Sequence, residues 1–342
     1  MPDIQLEPYI EAIDEFPLTG TAAEKLRAAV RYAVHAPSSH NSQPWQFRIR
    51  DSSLELRADR TRGLAVVDPD DRELVISCGA ALFFLRLALR HFGCAPQVER
   101  LPDATEPDLL ARVRIAGVWE RTAVDEALFR AIPARHTNRL PCLDRVLPEH
   151  LPDTLEAAAR EEGAWLHVFR TAAARSAAAD LIAEGDRWQM ADKRFRRELA
   201  AWLRPNRSAR LDGMPGYAMG LGDVMSAAGP FVVRTFDVGR GAAARDRELA
   251  AGSPMLALVG TRRDTPGDWL AAGEAVAHVL LRAQVDGVSA SFLNQPIEVP
   301  ELRSRLERIL GRDGFPQLLL RLGFAPPVAA TPRRPVSDVL SA

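Results

Sequence analysis

The pattern of apolar and polar residues divides the first part of the chain into four elements. A capping-box pattern at residues 21–24 precedes apolar residues at helical spacing, which predicts a helix that ends before Pro37. Apolar residues then alternate with polar ones in residues 45–49 and 54–58, and this alternation predicts a β-hairpin with one buried face. A further strand is predicted in residues 110–117.

Between the hairpin and that strand lies a segment that is apolar on nearly every side. Residues 74–92 have the composition of a buried central helix. Acidic residues in 68–71 suit its beginning, and Gly93 suits its end. Gly79 lies inside the helix, where glycine costs about 1 kcal/mol relative to alanine. We therefore expect another element to approach the helix closely at Gly79.

The second part of the chain continues with the same kinds of pattern. The predicted elements are a short helix from Val124, a helix after Pro148 that ends near Glu161, a strand at 165–169, an Ala- and Arg-rich and mostly helical stretch at 171–253, a strand at 255–260, a helix at 268–287, a helix at 300–310 and a strand at 315–323. The chain therefore mixes helices and strands throughout, which indicates an α+β fold.

The helix at 268–287 repeats the first central helix. Gly273 and Gly287 are fourteen residues apart, as are Gly79 and Gly93, and the two pairs differ by a constant offset of 194. Two glycine-containing helices could coincide by chance, but the flanking elements match as well. The pattern favours a tandem duplication, with halves at residues 1–120 and 121–342 that pair as an intrachain pseudo-dimer.

Composition and charge narrow the class of protein. Hydrophobic residues make up 47% and charged residues 26% of the chain, with a formal net charge of −1. This balance is ordinary for a soluble globular protein and gives no basic field for nucleic acid or an anionic membrane. The three cysteines lack disulfide or zinc spacing. No signal core and no apolar run of about 20 residues is evident, so we expect a cytoplasmic protein.

The densest group of polar side chains is at residues 36–45, which read APSSHNSQPW. Hydroxyls, amides and an imidazole lie between a predicted helix and a predicted strand, where loops commonly carry binding residues. An ordinary capped turn would also explain the segment. His35 and His40 could act as acid-base groups, and Ser38 or Ser39 as a nucleophile, although neither serine lies in a GxSxG elbow.

A second group, RHTNR at residues 135–139, lies in the other half. Arg135 and Arg139 around Thr137 provide cationic forks and a hydroxyl that suit a phosphate, although surface arginines flanking a turn are the alternative. Each half therefore keeps a different part of a site. A phosphate site combined with amides that suit the edge of a heterocycle indicates a mononucleotide cofactor, and no GxGxxG or Walker A pattern competes with it.

These two segments resemble known motifs. Residues 36–45 are similar to the APSxxNxQPW signature of the nitroreductase flavoprotein superfamily, and residues 135–139 resemble its RRSxR motif. Residues 70–79, 291–296 and 331–335 resemble the Acg-type subgroup, in which one chain holds two nitroreductase-like halves.

The resemblance implies an FMN cofactor, with NAD(P)H as the reductant and a nitroaromatic, quinone or other small molecule as the electron acceptor. The residues that it assigns to cofactor binding are Pro37, Ser38, Ser39, His40, Asn41, Gln43, Arg135, Thr137, Asn138, Arg139, Asn294, Gln295, Arg333 and Arg334. A non-catalytic protein that binds or stores FMN is the alternative function. Residues 171–253 could close over the flavin as a lid or form a packed helical appendage. A monomer could suffice, because both halves lie in one chain.

Overall fold

The computed structural model describes residues 16–341. The start of the chain, where no signal sequence is predicted, lies outside them. The first half contains α1 (Ala22–Ala33), β1 (Trp45–Arg50), β2 (Ser53–Ala58), α2 (Arg72–His91), β3 (Cys94–Arg100) and β4 (Leu109–Val118). The second half contains α3 (Ala123–Ala131), α4 (Leu151–Glu161), β5 (Trp165–Val168), α5 (Ala172–Ala191), α6 (Lys193–Trp202), β6 (Leu203–Arg204), β7 (Met214–Pro215), α7 (Asp223–Thr235), α8 (Gly239–Ala251), β8 (Met255–Thr261), α9 (Pro266–Val285), β9 (Ser289–Phe292), α10 (Gln295–Glu298), α11 (Pro300–Leu310), β10 (Phe315–Gly323), α12 (Val336–Val339) and β11 (Leu340–Ser341).

The two halves have the same sheet topology. In the first half β1, β2, β4 and β3 pair in that order, and in the second half β5, β8, β10 and β9 do the same. Every pairing within these two sets is antiparallel. The long central helix follows the second strand of each set. This shared order is what an internal duplication would produce.

The local signals explain why these elements form. Thr21 and Glu24 make the predicted reciprocal capping box at the start of α1. Asp68 accepts hydrogen bonds from the backbone amides of Glu73 and Leu74, so it caps α2 from outside the helix. Gly93 has φ +77°, the left-handed conformation that commonly ends a helix.

The centre of the molecule is the contact between α2 and α9. A Cβ atom added to Gly79 would clash with the carbonyl oxygen of Leu270, and one added to Gly273 would clash with that of Ile76. The two backbones therefore touch where each helix has a glycine, as the propensity argument predicts. The apolar cores of the halves adjoin at this contact, since Leu270, Ala277 and Leu281 of α9 pack into the core of the first half.

A buried ion network joins the halves beside this contact. Arg86 of α2 donates hydrogen bonds to Glu162 at 2.6 Å and to Glu274 at 2.5 Å, and Arg100 donates to Glu274 at 2.8 Å. Burial alone would raise the pKa of Glu162, but His278 and Arg86 outweigh it and lower that pKa to about 2. Breaking such a network would leave an unpaired charge in the interior.

The stretch at 171–253 lies between β5 and β8 and folds mainly as α5 to α8. Helices α5, α8 and α11 supply apolar side chains to a core on the second sheet. Strand β8 is consequently buried at every position. The first sheet is less enclosed, because the last residues of β4 are exposed.

Five strands were not predicted, and two of them, β6 and β7, have only two residues each within the stretch at 171–253. Strand β3 contains Pro96 and is only partly buried, so its apolar pattern is weak, and its place at the sheet edge tolerates proline. Strand β9 has only four residues. Strand β11 pairs in parallel with β1, so the end of the chain completes the first sheet.

Within residues 16–341, α2 is the one helix long and apolar enough to cross a membrane by composition. The prediction that no apolar segment is long enough to span a membrane therefore does not hold for α2 by length and composition. Most of its residues are buried inside the protein, from Arg72 to Leu89, which identifies it as a core helix.

Substituting Gly79 with alanine tests the helix contact. Although alanine favours a helix by about 1 kcal/mol, the clash with Leu270 should lower the free energy of unfolding by about 1–3 kcal/mol. Denaturant titration measures this change. Gly241→Ala is the control, because nothing lies within 4 Å of its Cβ position in α8, and it should leave stability unchanged or raise it. A Gly79→Ala protein as stable as the native one would contradict the close contact.

Candidate functional site

The polar loop connects α1 to β1 and is held in a strained conformation. Ala36 and Trp45, at its two ends, are fully buried. Between them His40, Asn41 and Gln43 have φ values of 54°, 54° and 52°. Left-handed backbone costs about 1–2 kcal/mol per residue for most residue types. Strain of this kind persists where surrounding contacts fix the chain, and it is concentrated at functional sites.

A cavity of about 300 Å³ lies beside this loop. Both halves line it, and eight of the residues predicted from the sequence are in its wall. They are Pro37, Ser38, Ser39, His40, Thr137, Arg139, Asn294 and Gln295. A volume of this size lies at the lower end of the range for small-molecule sites.

One side of the cavity is cationic. Arg139 lies in the wall, and its Nη2 donates to the Met214 sulfur at 3.8 Å. Burial lowers the pKa of Arg139 to about 10 despite the favourable charge of Asp246. Arg321 of β10 is also buried and donates to the backbone carbonyl oxygens of Asn138 and Leu140, both at 2.9 Å. These bonds fix the end of the 135–139 segment against the second sheet.

The cavity also has an acidic side, which the sequence did not indicate. Glu73, Asp186, Asp246 and Glu298 all line the cavity. Burial, together with the charge of Asp246, raises the pKa of Asp186 to about 7. Burial also raises the pKa of Asp246, and it raises that of Glu298 well above its usual value. Glu73 accepts a hydrogen bond from the Ser39 hydroxyl at 2.5 Å, which connects the acidic side to the polar loop.

A second, much smaller pocket lies beside His35, just before the loop. Its polar lining consists of His35, Arg135, His136, Thr331 and Arg333. Arg135 is 5% exposed, and its Nη2 donates to the His35 carbonyl oxygen at 3.2 Å. Burial and the neighbouring Arg333 lower the pKa of Arg135 to about 9. The pocket therefore brings two guanidinium groups together in a dry environment.

The amides of Asn41 and Gln43 lie in neither pocket wall. Asn41 Nδ2 donates to the carbonyl oxygens of Gly213 at 3.0 Å and Pro332 at 3.1 Å. Gln43 Nε2 donates to the Leu211 carbonyl oxygen at 2.8 Å, and its Oε1 accepts from the Arg334 backbone amide at 2.8 Å. Both amides thus attach the insertion and the end of the chain to the loop.

The two remaining predicted residues, Asn138 and Arg334, bind backbone carbonyl oxygens. The Asn138 side chain donates to the Pro326 carbonyl oxygen at 2.7 Å and is buried away from the cavity. Arg334 donates to the carbonyl oxygens of Gln43 at 3.3 Å and Asp338 at 2.8 Å. Of the two adjacent arginines, Arg333 is the one that lines the small pocket with Arg135.

The histidines near the loop are neutral at physiological pH. Burial, with nearby arginines, lowers the pKa of His35 to about 3. Burial lowers the pKa of His40 to about 4. No hydrogen bond between His40 and Ser38 or Ser39 occurs in residues 16–341, because Ser39 donates to Glu73 and Ser38 accepts from the Gln43 backbone amide. The loop therefore lacks the arrangement of an activated serine.

The insertion forms a large part of the cavity wall. Its contribution is mostly apolar and includes Met190, Phe195, Leu199, Met214, Met219 and Leu249. A salt bridge at 2.6 Å between Arg62 and Asp212 fastens the insertion to the first half. The stretch at 171–253 is thus a wall of the site as well as a packed helical unit.

One missed residue had a visible sequence signal. Arg321 interrupts an otherwise apolar strand, and a charge in a buried strand requires a partner or a function. Asp186 and Asp246 had no such signal, because they lie in helices rich in exposed charges. Only the packing of α5 and α8 shows which of those charges face inward.

Comparison with known proteins identifies relatives of the chain. No family model matches the chain. Rv3131 of Mycobacterium tuberculosis, which carries a provisional NAD(P)H nitroreductase name, is 34% identical over 325 residues, covering 93% of this chain and 91% of the relative. The protein acg of the same organism, with the same kind of name, is 29% identical over 343 residues, covering 94% and 97%. A solved FMN- and NADPH-dependent nitroreductase, NfnB from a Sphigopyxis species, is 18% identical with a TM-score of 0.43, covering 65% of this chain and 99% of its own.

The chain belongs to the NAD(P)H nitroreductase family, as its identity to Rv3131 across nearly its whole length shows. The predicted resemblance is confirmed, and the α+β fold is nitroreductase-like.

Substituting Asn41 with glycine tests its role as a connector. Glycine accepts the positive φ, so mainly the side-chain bonds are lost. Each lost bond is worth about 1 kcal/mol, or roughly fivefold faster local exchange. Hydrogen exchange should therefore accelerate in residues 211–214 and 331–334. Gln46→Ala is the control, since that amide contacts Asp59 within the first half. Unchanged exchange in both segments would contradict this role.

Proposed function

We propose that this protein binds FMN between its two halves and uses NAD(P)H to reduce a small acceptor such as a nitroaromatic compound or a quinone. Family membership supports the reaction class, since relatives such as Rv3131 are named as NAD(P)H nitroreductases. The geometry supports the location, because one cavity draws its walls from both halves.

The observation that carries the proposal is the environment of Arg135. Its Nε is buried with no hydrogen-bond partner, and no carboxylate of residues 16–341 lies within 4 Å of its guanidinium group. A buried charge is unfavourable unless it is paired. A phosphate group would supply the missing negative charge and several acceptor oxygens. The adjacent Arg333 and the Thr331 hydroxyl suit the same group.

The larger cavity suits the ring and the ribityl chain. Arg139 would stand at the carbonyl edge of the ring, with the Thr137 hydroxyl nearby, and residues 37–40 would form the facing wall from the other half. Asn294 and Gln295 would border the ring on the acidic side. Bound FMN supplies hydride transfer at N5, while these residues hold the ring, exclude water and set the local charge.

The pattern of protonation fits that division of roles. Buried His40 is neutral, and no serine is activated, so hydride chemistry needs no nucleophile from the loop. Arg139 keeps its positive charge near neutral pH and would stabilise negative charge on a reduced ring. A cytoplasmic monomer is the proposed working form, since both halves of the site lie in one chain.

Storage of FMN is the second candidate function. The observation that favours it is the contribution of the insertion to the cavity wall, which includes Met190, Phe195 and Met214. A flavin covered in this way would be retained and shielded from NAD(P)H.

Replacing Arg135 with alanine should weaken FMN binding by roughly 1.5–3 kcal/mol, the scale of a charge-assisted hydrogen bond. Stability without flavin should not fall, because the substitution removes a buried unpaired charge. Fluorescence titration with FMN measures the first effect, and thermal unfolding of the flavin-free protein measures the second. Arg130→Ala is the control, as that side chain is 78% exposed and pairs with Glu126 on the surface. Equal FMN affinity in the two variants would refute the phosphate site.

Anaerobic addition of NADPH separates the two candidate functions. If the protein is a reductase, the flavin absorbance of the purified protein should bleach promptly and return when a quinone is added. If the protein stores FMN, the flavin should stay oxidised. A purified protein that neither contains nor takes up FMN would exclude both functions.

A further inference from the structure

The carboxylates on the acidic side of the cavity differ in whether a cationic group contacts them. Glu73 is paired with Arg72 at 3.0 Å. By contrast, no arginine, lysine or histidine nitrogen within residues 16–341 lies within 4 Å of the carboxylates of Asp186, Asp246 or Glu298. Glu298 instead accepts from the neutral amide of Gln189 at 2.5 Å. Arg139, Arg245 and Arg321 act on Asp246 only from beyond 4 Å. A cationic ligand could therefore contact these carboxylates directly and stabilise their charged form.

Two oxygen atoms on this wall lack hydrogen-bond donors. Gln295 uses its single amide nitrogen twice, donating to Asp246 Oδ2 at 2.8 Å and to Asp186 Oδ1 at 3.1 Å. Gln295 Oε1 and Asp186 Oδ2 are then left buried with no partner. Asp186 is 5% exposed and lines the cavity. Leaving a buried acceptor unsatisfied costs about 1–3 kcal/mol, so this arrangement requires a reason.

The packing of α5 fixes this arrangement. Gly185 precedes Asp186, and a Cβ atom at Gly185 would lie 2.7 Å from the Gln295 Cβ and 2.9 Å from its carbonyl carbon. Only glycine therefore allows the backbone of α5 to lie against Gln295. The close approach places the Asp186 carboxylate beside the Gln295 amide, to which it is hydrogen-bonded at 3.1 Å.

We infer that the wall formed by Asp186, Asp246 and Gln295 is an amine-recognition subsite, which selects acceptors in which a small aromatic ring carries a protonated aminoalkyl group. Such a group brings a positive charge and several N–H donors to the two unpartnered oxygens. Apolar side chains of the same cavity, including Met190 and Phe292, suit the ring. The assignment names a substrate class for the proposed reductase and rests on that function.

A metal ion is a weaker explanation for the wall. No group of three or more histidine, cysteine, aspartate or glutamate side chains within residues 16–341 is arranged to hold one. The atoms of the wall also do not form a set of oxygen ligands around one point, because the amide nitrogen of Gln295 lies between the two aspartates. An organic cation with directional N–H groups fits separated acceptors better than a spherical ion does.

Three ligands of similar shape and different charge test the inference. Calorimetric titration of the purified protein at neutral pH measures binding of 4-nitrobenzylamine, 4-nitrobenzyl alcohol and 4-nitrobenzoate. The amine should bind more tightly than the alcohol by about tenfold to a hundredfold, as expected for a charge-assisted hydrogen bond. The benzoate should bind more weakly than the alcohol, because it would meet the carboxylates.

The variant Asp186→Asn should abolish the preference for the amine and leave the affinity for the alcohol within about threefold, since asparagine keeps the size of the side chain. Asp180→Asn is the matched control, because Asp180 lies on the same helix with its side chain 60% exposed. The control should keep the preference. Circular dichroism of both variants verifies that α5 is folded.

The outcomes separate this inference from the proposed function. Equal affinity of the native protein for amine and alcohol overturns the inference, whether or not the protein contains flavin. It is also overturned if Asp186→Asn keeps the preference but slows reoxidation of the reduced protein, since Asp186 would then act as a proton donor. A protein that neither contains nor takes up FMN but still prefers the amine would refute the proposed cofactor and support the subsite.

Discussion

The structure depends on one contact, the approach of α2 to α9 at Gly79 and Gly273. Side chains at these positions would separate the two helices and, with them, the two sheets that they pack against. The first sheet supports the loop at 36–45, while β9 and β10 of the second support residues 135–139 through Ala290 and Arg321. The distance between the two parts of the site is therefore set by the helix contact. The buried network around Arg86 and Glu274 adds polar specificity to the same interface.

The cavity that results carries charges of both signs. Arg139 and Arg321 line it together with Glu73, Asp186 and Glu298. Such an arrangement suits a cofactor that gains negative charge on reduction and a substrate that carries positive charge. His40 is neutral, and the Ser39 hydroxyl is hydrogen-bonded to Glu73. The loop therefore acts as a rigid wall of the cavity. A loop rich in serine and histidine is thus used for shape and hydrogen bonding.

Most of the fold could be predicted from the sequence, because its elements follow strong apolar periodicity and distinct caps. Helix α11 and strand β10 have the predicted bounds, and the two glycines predicted the close helix contact. Strands β3 and β9 were missed because they are short or partly exposed. The full set of cofactor-binding residues could be proposed only from the resemblance to a known family. That resemblance does not show in which direction each side chain points. Asn41 and Gln43 have the right residue types for a ring edge, yet they bind the insertion and the end of the chain. The acidic residues of the cavity were also missed, because periodicity does not show which charged side chains of a largely exposed helix face a cavity.

The central claim is that one flavin site is assembled from both halves of a single chain. A crystal structure of the protein grown with FMN tests it most directly. The account predicts one flavin per chain, with its phosphate at Arg135 and Arg333 and its ring between Arg139 and residues 37–40. A flavin bound within one half alone, or at a position remote from Arg135, would contradict it.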